Sequence, residues 1–294
     1  IRMARSYTNK DHIAYCGYHG WSDFFVAASS RPYGIPKVLK DYVHEFEYNN
    51  LNSLEELLKT KEVAGIILEP TALTKPNPGF LEGVRRLATQ YNAVLIFDEV
   101  VTGFRWALGG AQQYYGVTPD LCCVGKAMAN GLPISAICGK KEFMKELDHV
   151  FFSMTGGGEC LSIAAAIETI KELQTKDYNQ LWTLGDLLED GINEAANKYK
   201  LKINFAGSGP RHNLTFSDEY TDASGMKDLF YQEMCRQGIL WSNVIYIQFA
   251  HTEKDIEKTI KAAYKAFRIV KKYMIDIDSV LEGKRSVAIF RKNT

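Results

Sequence analysis

Short apolar runs recur through the first two thirds of the chain, each bounded by Gly, Pro or charged residues. Val63-Ala64-Gly65-Ile66-Ile67-Leu68 and Ala93-Val94-Leu95-Ile96-Phe97 are apolar at consecutive positions. That pattern belongs to strands buried on both faces, not to strands with one wet face. Ile13-Ala14-Tyr15, residues 120–124 and Ile134-Ser135-Ala136-Ile137-Cys138-Gly139 read as further strands. Between them, residues 53–59 and 79–90 carry apolar positions at helical spacing, with Ser53 near the cap of the first. Residues 102–119 read as a long loop. Strands alternating with helices predict an α/β fold, with a mostly parallel central sheet and helices on both faces.

The texture changes near Tyr178. A helical pattern over 181–199 leads to a strand candidate at 202–206, the turn Gly207-Ser208-Gly209-Pro210, a second strand at 212–216, a helix around 224–237, a third strand at 245–249 and a helix over 252–273. This order predicts a small C-terminal α+β domain at 178–273, after a large domain at 1–177. Residues 274–294 have weak periodicity and several charges, and are expected to form a surface tail. The opening Ile1-Arg2-Met3-Ala4-Arg5-Ser6-Tyr7 reads as a helix already under way, with no cap before it. An N-terminal segment is expected upstream.

Composition narrows the function classes. Among 294 residues, 46% are hydrophobic and 24% charged, and the formal net charge is zero. There is no basic block to track a phosphate backbone, so no nucleic-acid partner is expected. No run approaches the roughly 20 apolar residues of a membrane span. The cysteines Cys16, Cys122, Cys123, Cys138, Cys160 and Cys235 form no CxxC pair and no zinc spacing. Reduced thiols in a cytoplasmic protein, with no metal and no signal peptide, are the expectation.

The candidate chemistry sits at strand ends. Glu69, Asp98 and Lys126 each fall at or just past the carboxyl end of a different predicted strand. In such sheets ligands bind there. An amine able to form a Schiff base, beside an acid able to hold a ring nitrogen protonated, suits pyridoxal phosphate.

The residues that carry a family resemblance are Tyr18-His19-Gly20, Leu68-Glu69-Pro70, Phe97-Asp98-Glu99-Val100-Val101-Thr102-Gly103-Phe104-Arg105, Gly116-Val117-Thr118-Pro119-Asp120-Leu121, and Gly125-Lys126 through Gly131-Leu132-Pro133. Ala250-His251-Thr252 followed by Asp255-Ile256 adds to them. Together they resemble the class III pyridoxal-phosphate aminotransferases of fold type I, and within them the glutamate-1-semialdehyde aminomutase-like branch. The resemblance runs over residues 1–270.

It implies roles. Lys126 would bind the cofactor covalently and move the substrate proton, and Asp98 would pair with the pyridinium nitrogen. Tyr18 would stack on one ring face and Val100 on the other. Glu69 would lie near the ring and its hydroxyl side, and His19 would line the pocket or donate to a backbone carbonyl. Arg105 would hold a substrate carboxylate or brace its loop. Thr155, before the Gly156-Gly157-Gly158 turn, would reach the phosphate of a neighbouring subunit, aided by a helix beginning near Glu159. A homodimer with shared active sites follows. The family's other phosphate-binding loop would fall upstream of Ile1.

One departure bears on the reaction. The segment after Tyr18-His19-Gly20, residues 24–48, is shorter than the Gly/Ser-rich gating loop of the aminomutases. A lid retains an intermediate that an aminomutase must not lose. The short segment therefore favours ordinary transamination from an amino acid donor to a keto or aldehyde acceptor, with a faint resemblance to amino-sugar enzymes. Glutamate-1-semialdehyde 2,1-aminomutase is the competing enzyme reading. A non-catalytic family member is the third, opposed by the presence of Lys126 and Asp98.

Overall fold

The computed structural model describes residues 1–286; the end of the expected tail, 287–294, lies outside the described residues. The described chain divides into two compact units, one of residues 1–72 and 76–176, the other of 73–75 and 177–286.

The first unit is built from α1 (Arg2–Thr8), β1 (His12–Cys16), α2 (Asp23–Val26), β2 (Val43–Glu45), α3 (Leu51–Thr60), β3 (Val63–Leu68), α4 (Phe80–Gln90), β4 (Val94–Glu99), α5 (Gly110–Tyr115), β5 (Leu121–Val124), β6 (Ala136–Gly139), α6 (Lys141–Met144) and α7 (Cys160–Leu173). Its sheet has the order β2-β1-β3-β4-β5-β6. The first five strands are parallel and β6 is antiparallel.

The uninterrupted apolar runs are explained by two cores. Leu95 and Phe97 of β4 pack with Leu54, Leu58, Leu81 and Val84 of α3 and α4. Val94 and Ile96, pointing the other way, pack with Met3, Ala4, Ile13 and Phe143. Each such buried side chain stabilises the fold by about 1.5–3 kcal/mol. Gly65 sits where α1 crosses β3; a Cβ there would lie 3.2 Å from Ala4 Cβ. Chain order reverses between β1 and β3, since β1 leads to β2 on one side and has β3 on the other. The crevice past the carboxyl ends of such strands is where α/β sheets bind ligands.

Two details differ from the sequence reading. The cap of α3 is Asn50, whose side chain accepts from Ser53 N–H, while Ser53 Oγ accepts from Glu47 N–H. The stretch 102–119 is not all loop, because it contains α5.

The second unit contains α8 (Asn179–Lys198), β7 (Ile203–Ser208), β8 (Arg211–Phe216), α9 (Ala223–Arg236), β9 (Val244–Tyr246) and α10 (Glu253–Tyr273). Its antiparallel sheet has the order β7-β8-β9. Leu188, Ile192, Phe205, Leu229, Phe230, Ala263 and Phe267 form its core. A reciprocal capping box between Thr252 and Asp255 starts α10. Past α10 the chain stays packed: Ile277 is buried in the same core, and Arg285 bridges Asp222 and Asp278. Residues 274–286 are thus part of this unit's structure, where a surface tail was expected.

Candidate active site

Strand register brings the candidate residues together. Cys16 pairs with Leu68, Leu68 with Phe97, and Phe97 with Cys122, giving one row across β1, β3, β4 and β5. One residue further on stand Glu69 and Asp98, with Asp98 opposite Cys123. Tyr18 and His19 follow β1, and Lys126 follows β5.

Asp98 and Glu99 are neighbours in sequence but face opposite sides of the strand, as period-2 alternation requires. Asp98 meets His19: Nδ1 lies 2.8 Å from Asp98 Oδ2, and the His19 side chain is only 1% exposed. The other ring nitrogen, Nε2, lies 2.9 Å from the Cys16 carbonyl. A carbonyl only accepts, so Nε2 donates, and a proton is held between Nδ1 and Asp98 Oδ2. Asp98 Oδ1 accepts from Val100 N–H at 3.1 Å. The carboxylate is thereby fixed from two sides.

Glu99 is fully buried. It accepts from Thr102 Oγ1 at 2.7 Å, Ala111 N–H at 2.7 Å and Gln112 N–H at 2.8 Å. Burial pushes its carboxyl above the ordinary carboxylate range, and these donors oppose the shift. Sequence reasoning assigned it no part.

Lys126 opens a 3-10 turn, Lys126–Ala129, closed by Met128 N–H to the Gly125 carbonyl at 2.9 Å. Its φ is 41°, left-handed for a long side chain, at a cost of about 1–3 kcal/mol that surrounding structure must offset. The residue is exposed. Val100 lies beside it in space: its Cγ1 is 3.7 Å from where a Cβ on Gly125 would be.

The nearby thiols are poor nucleophiles. Burial, then Glu45 and Glu69, push Cys16 up to about 12. Burial, then Asp98, push Cys123 up to about 11. Both stay protonated at neutral pH.

The remaining candidates are placed as follows. Tyr18 is half-exposed, at 53%. Arg105 donates through Nη1 to the Val101 carbonyl of its own loop, a bracing contact. Thr155 is exposed in the turn before α7. At the start of α7, where help for an anion was expected, the Leu161 and Ser162 N–H groups donate to Glu159 at 2.6 and 2.8 Å. Among the described residues no group of three or more His, Cys, Asp or Glu could hold a metal ion. No described helix is long and apolar enough to cross a membrane.

The family model for class-III aminotransferases matches residues 1–255. The chain belongs to that family. A 3-aminobutyryl-CoA aminotransferase of Cloacimonas acidaminovorans is 38% identical over 93% of this chain and 69% of its own length. A glutamate-1-semialdehyde 2,1-aminomutase of Staphylococcus aureus is 37% identical over 92% of this chain and 71% of its own. In fold, the aminotransferase superposes on an omega-transaminase from Sphaerobacter thermophilus with a TM-score of 0.85 at 24% identity, covering 92% of this chain and 71% of that one. The cofactor of the class-III aminotransferases is pyridoxal phosphate, and this aminotransferase has the fold type I architecture and the reaction class of a transaminase.

The residues at the strand ends fit that cofactor. A held carboxylate suits a protonated ring nitrogen, and an exposed lysine just past the adjoining strand suits an aldehyde. A Cβ placed on Gly17 or Gly20 would meet nothing within 4 Å, so the β1 end leaves open space beside them.

Proposed function

We propose that the strand-end cluster is the catalytic site, with Lys126 and Asp98 as its catalytic residues. The observation that carries this is the shared row of β1, β3, β4 and β5, which puts His19, Glu69, Asp98 and Lys126 at one sheet edge. Pyridoxal phosphate, when bound, supplies an aldehyde carbon and a protonated ring that stabilises negative charge at the substrate Cα. Lys126 Nζ is the amine that would hold the aldehyde, and the same amine, when free, would accept and return the substrate Cα proton. Asp98 would hold the ring proton, and the proton shared with His19 keeps Asp98 in place. Tyr18 and Val100 would bound the two ring faces, and Glu69 would lie on the hydroxyl side. Arg105 braces its loop, and Thr155 would serve the phosphate of a neighbouring subunit.

That last role requires a homodimer. Phe151, Phe152, Met154, Leu161 and Ile167 are all exposed over a short stretch of the first unit. Contiguous exposed apolar side chains of this kind mark contact surfaces, and a second copy is the occupant that completes the site. All six cysteines are free, which supports a reducing compartment and hence the cytoplasm.

The reaction is amino transfer from an amino acid donor to a keto or aldehyde acceptor. The competing reading is aminomutation of glutamate semialdehyde, favoured by identity to the aminomutases. The S. aureus pairing, however, runs over 310 positions while covering 92% of 294 residues, so part of that relative has no counterpart here. The pairing with the aminobutyryl-CoA enzyme runs over 287 positions for 93%. Together with the short segment 24–48, we take this to favour transamination from an external donor. The test incubates the protein with pyridoxal phosphate, an amino acid donor and a panel of keto and aldehyde acceptors. Stoichiometric 2-oxo acid formation from the donor is expected. Isomerisation of glutamate semialdehyde with no donor consumed would overturn it.

A further inference from the structure

Glu99 places a buried negative charge directly behind Asp98, on the face of β4 away from His19. Such a charge is costly unless it is well hydrogen-bonded, and two of its three partners come from a different element. Thr102 begins the loop that follows β4; Ala111 and Gln112 lie at the start of α5, where that loop ends. The backbone joins in, since Gly103 N–H donates to the Glu99 carbonyl at 2.8 Å. Glycine is required at both closing points. A Cβ on Gly103 would sit 2.7 Å from the Glu99 carbonyl oxygen, and one on Gly110 would sit 2.3 Å from Oε2.

The loop gathered in this way lies against the lysine turn. Val100 reaches the Gly125 position, and Val124 Cγ1 is 3.1 Å from where a Gly103 Cβ would be. Phe104, with φ 58°, packs with Val124, Met128, Ala129 and Ala166. The contacts therefore flank Lys126 on both sides, where its own backbone is left-handed. A residue in such a conformation persists only when its surroundings hold it.

We propose that Glu99 is a positioning residue for Lys126: its buried carboxylate pins residues 100–110, and that loop holds the lysine turn. The proposal rests on Lys126 being the point of cofactor attachment, and the experiment separates the two claims. Hydrogen exchange is measured on the protein without added cofactor, for Glu99→Gln, Thr102→Val and Thr102→Ser. Capture of added pyridoxal phosphate is measured in parallel by borohydride trapping and peptide mapping. In Glu99→Gln and Thr102→Val, amide exchange over 124–130 is expected to rise about tenfold through local opening. Capture on Lys126 is expected to slow about ten- to a hundredfold, as misplacement by an ångström does. Thr102→Ser keeps the hydroxyl and behaves as wild type. If exchange rises only at Ala111 and Gln112, and capture is unchanged, Glu99 merely caps α5 and the proposal is overturned. If Glu99→Gln does not fold, Thr102→Val, which keeps the carboxylate, decides alone. If wild type traps nothing on Lys126, the attachment claim fails, while the exchange data still decide the coupling.

Discussion

His19 Nδ1 lies 2.8 Å from Asp98 Oδ2, and the same ring spans to the Cys16 carbonyl through Nε2. The ring is fixed at both nitrogens, so Asp98 cannot swing without breaking a buried contact. His19→Phe keeps a planar ring to pack on Phe25 but removes both hydrogen bonds. We expect kcat to fall about ten- to a hundredfold, the usual loss when a group that orients a ligand is removed, with the far-ultraviolet circular dichroism unchanged. A wild-type kcat would mean Asp98 needs no such support.

Asp98→Ala removes the carboxylate itself. Folding should survive, since the side chain is partly exposed, at 15%. Turnover should fall further than in His19→Phe, because nothing remains to keep the ring nitrogen protonated. Steady-state kinetics at saturating cofactor would check this, and near-normal turnover would remove Asp98 from the site.

Tyr18→Ala tests the ring-face role. Offset stacking contributes about 0.5–1.5 kcal/mol, so the dissociation constant for pyridoxal phosphate should rise about two- to tenfold. Equilibrium titration by fluorescence would give the ratio, and an unchanged constant would assign Tyr18 elsewhere.

Much of this fold could be read from residue order, for a physical reason. β3 and β4 are buried on both faces, so their sequences are apolar without interruption, and Asp98 and Glu69 stand out where the runs stop. Lys126 stood out in the same way after β5. What escaped was non-local. α5 has six residues starting at Gly110, and its first N–H groups are met by Glu99 from another element. β2 has three residues and no pattern of its own. The His19 contact with Asp98 joins the loop after β1 to the end of β4, which only the sheet register brings together. Glu99 left one signal, a second acid beside Asp98 that strand alternation must turn towards the core.

The first unit should be acid-sensitive through Asp120, which is 3% exposed. Burial alone would raise its carboxyl, but Lys140 at 2.6 Å, the Leu95 N–H and Arg85 outweigh burial and hold it below the usual range. A folded-state value below the unfolded one means that the stabilisation is present above the ordinary aspartate range and is lost as pH falls through the lower folded value. Asp120→Asn should cost about 1–3 kcal/mol near neutral pH, and the deficit should shrink on acidification below the ordinary aspartate range. Urea melts across that range would measure both, and a constant deficit would contradict the linkage.

The most direct test of the central claim is where pyridoxal phosphate attaches. The protein would be incubated with the cofactor, reduced with borohydride, digested and mapped by mass spectrometry. A phosphopyridoxyl group on Lys126, absent in Lys126→Ala, is the predicted result. Attachment at a different lysine, or equal labelling of wild type and Lys126→Ala, would contradict the account.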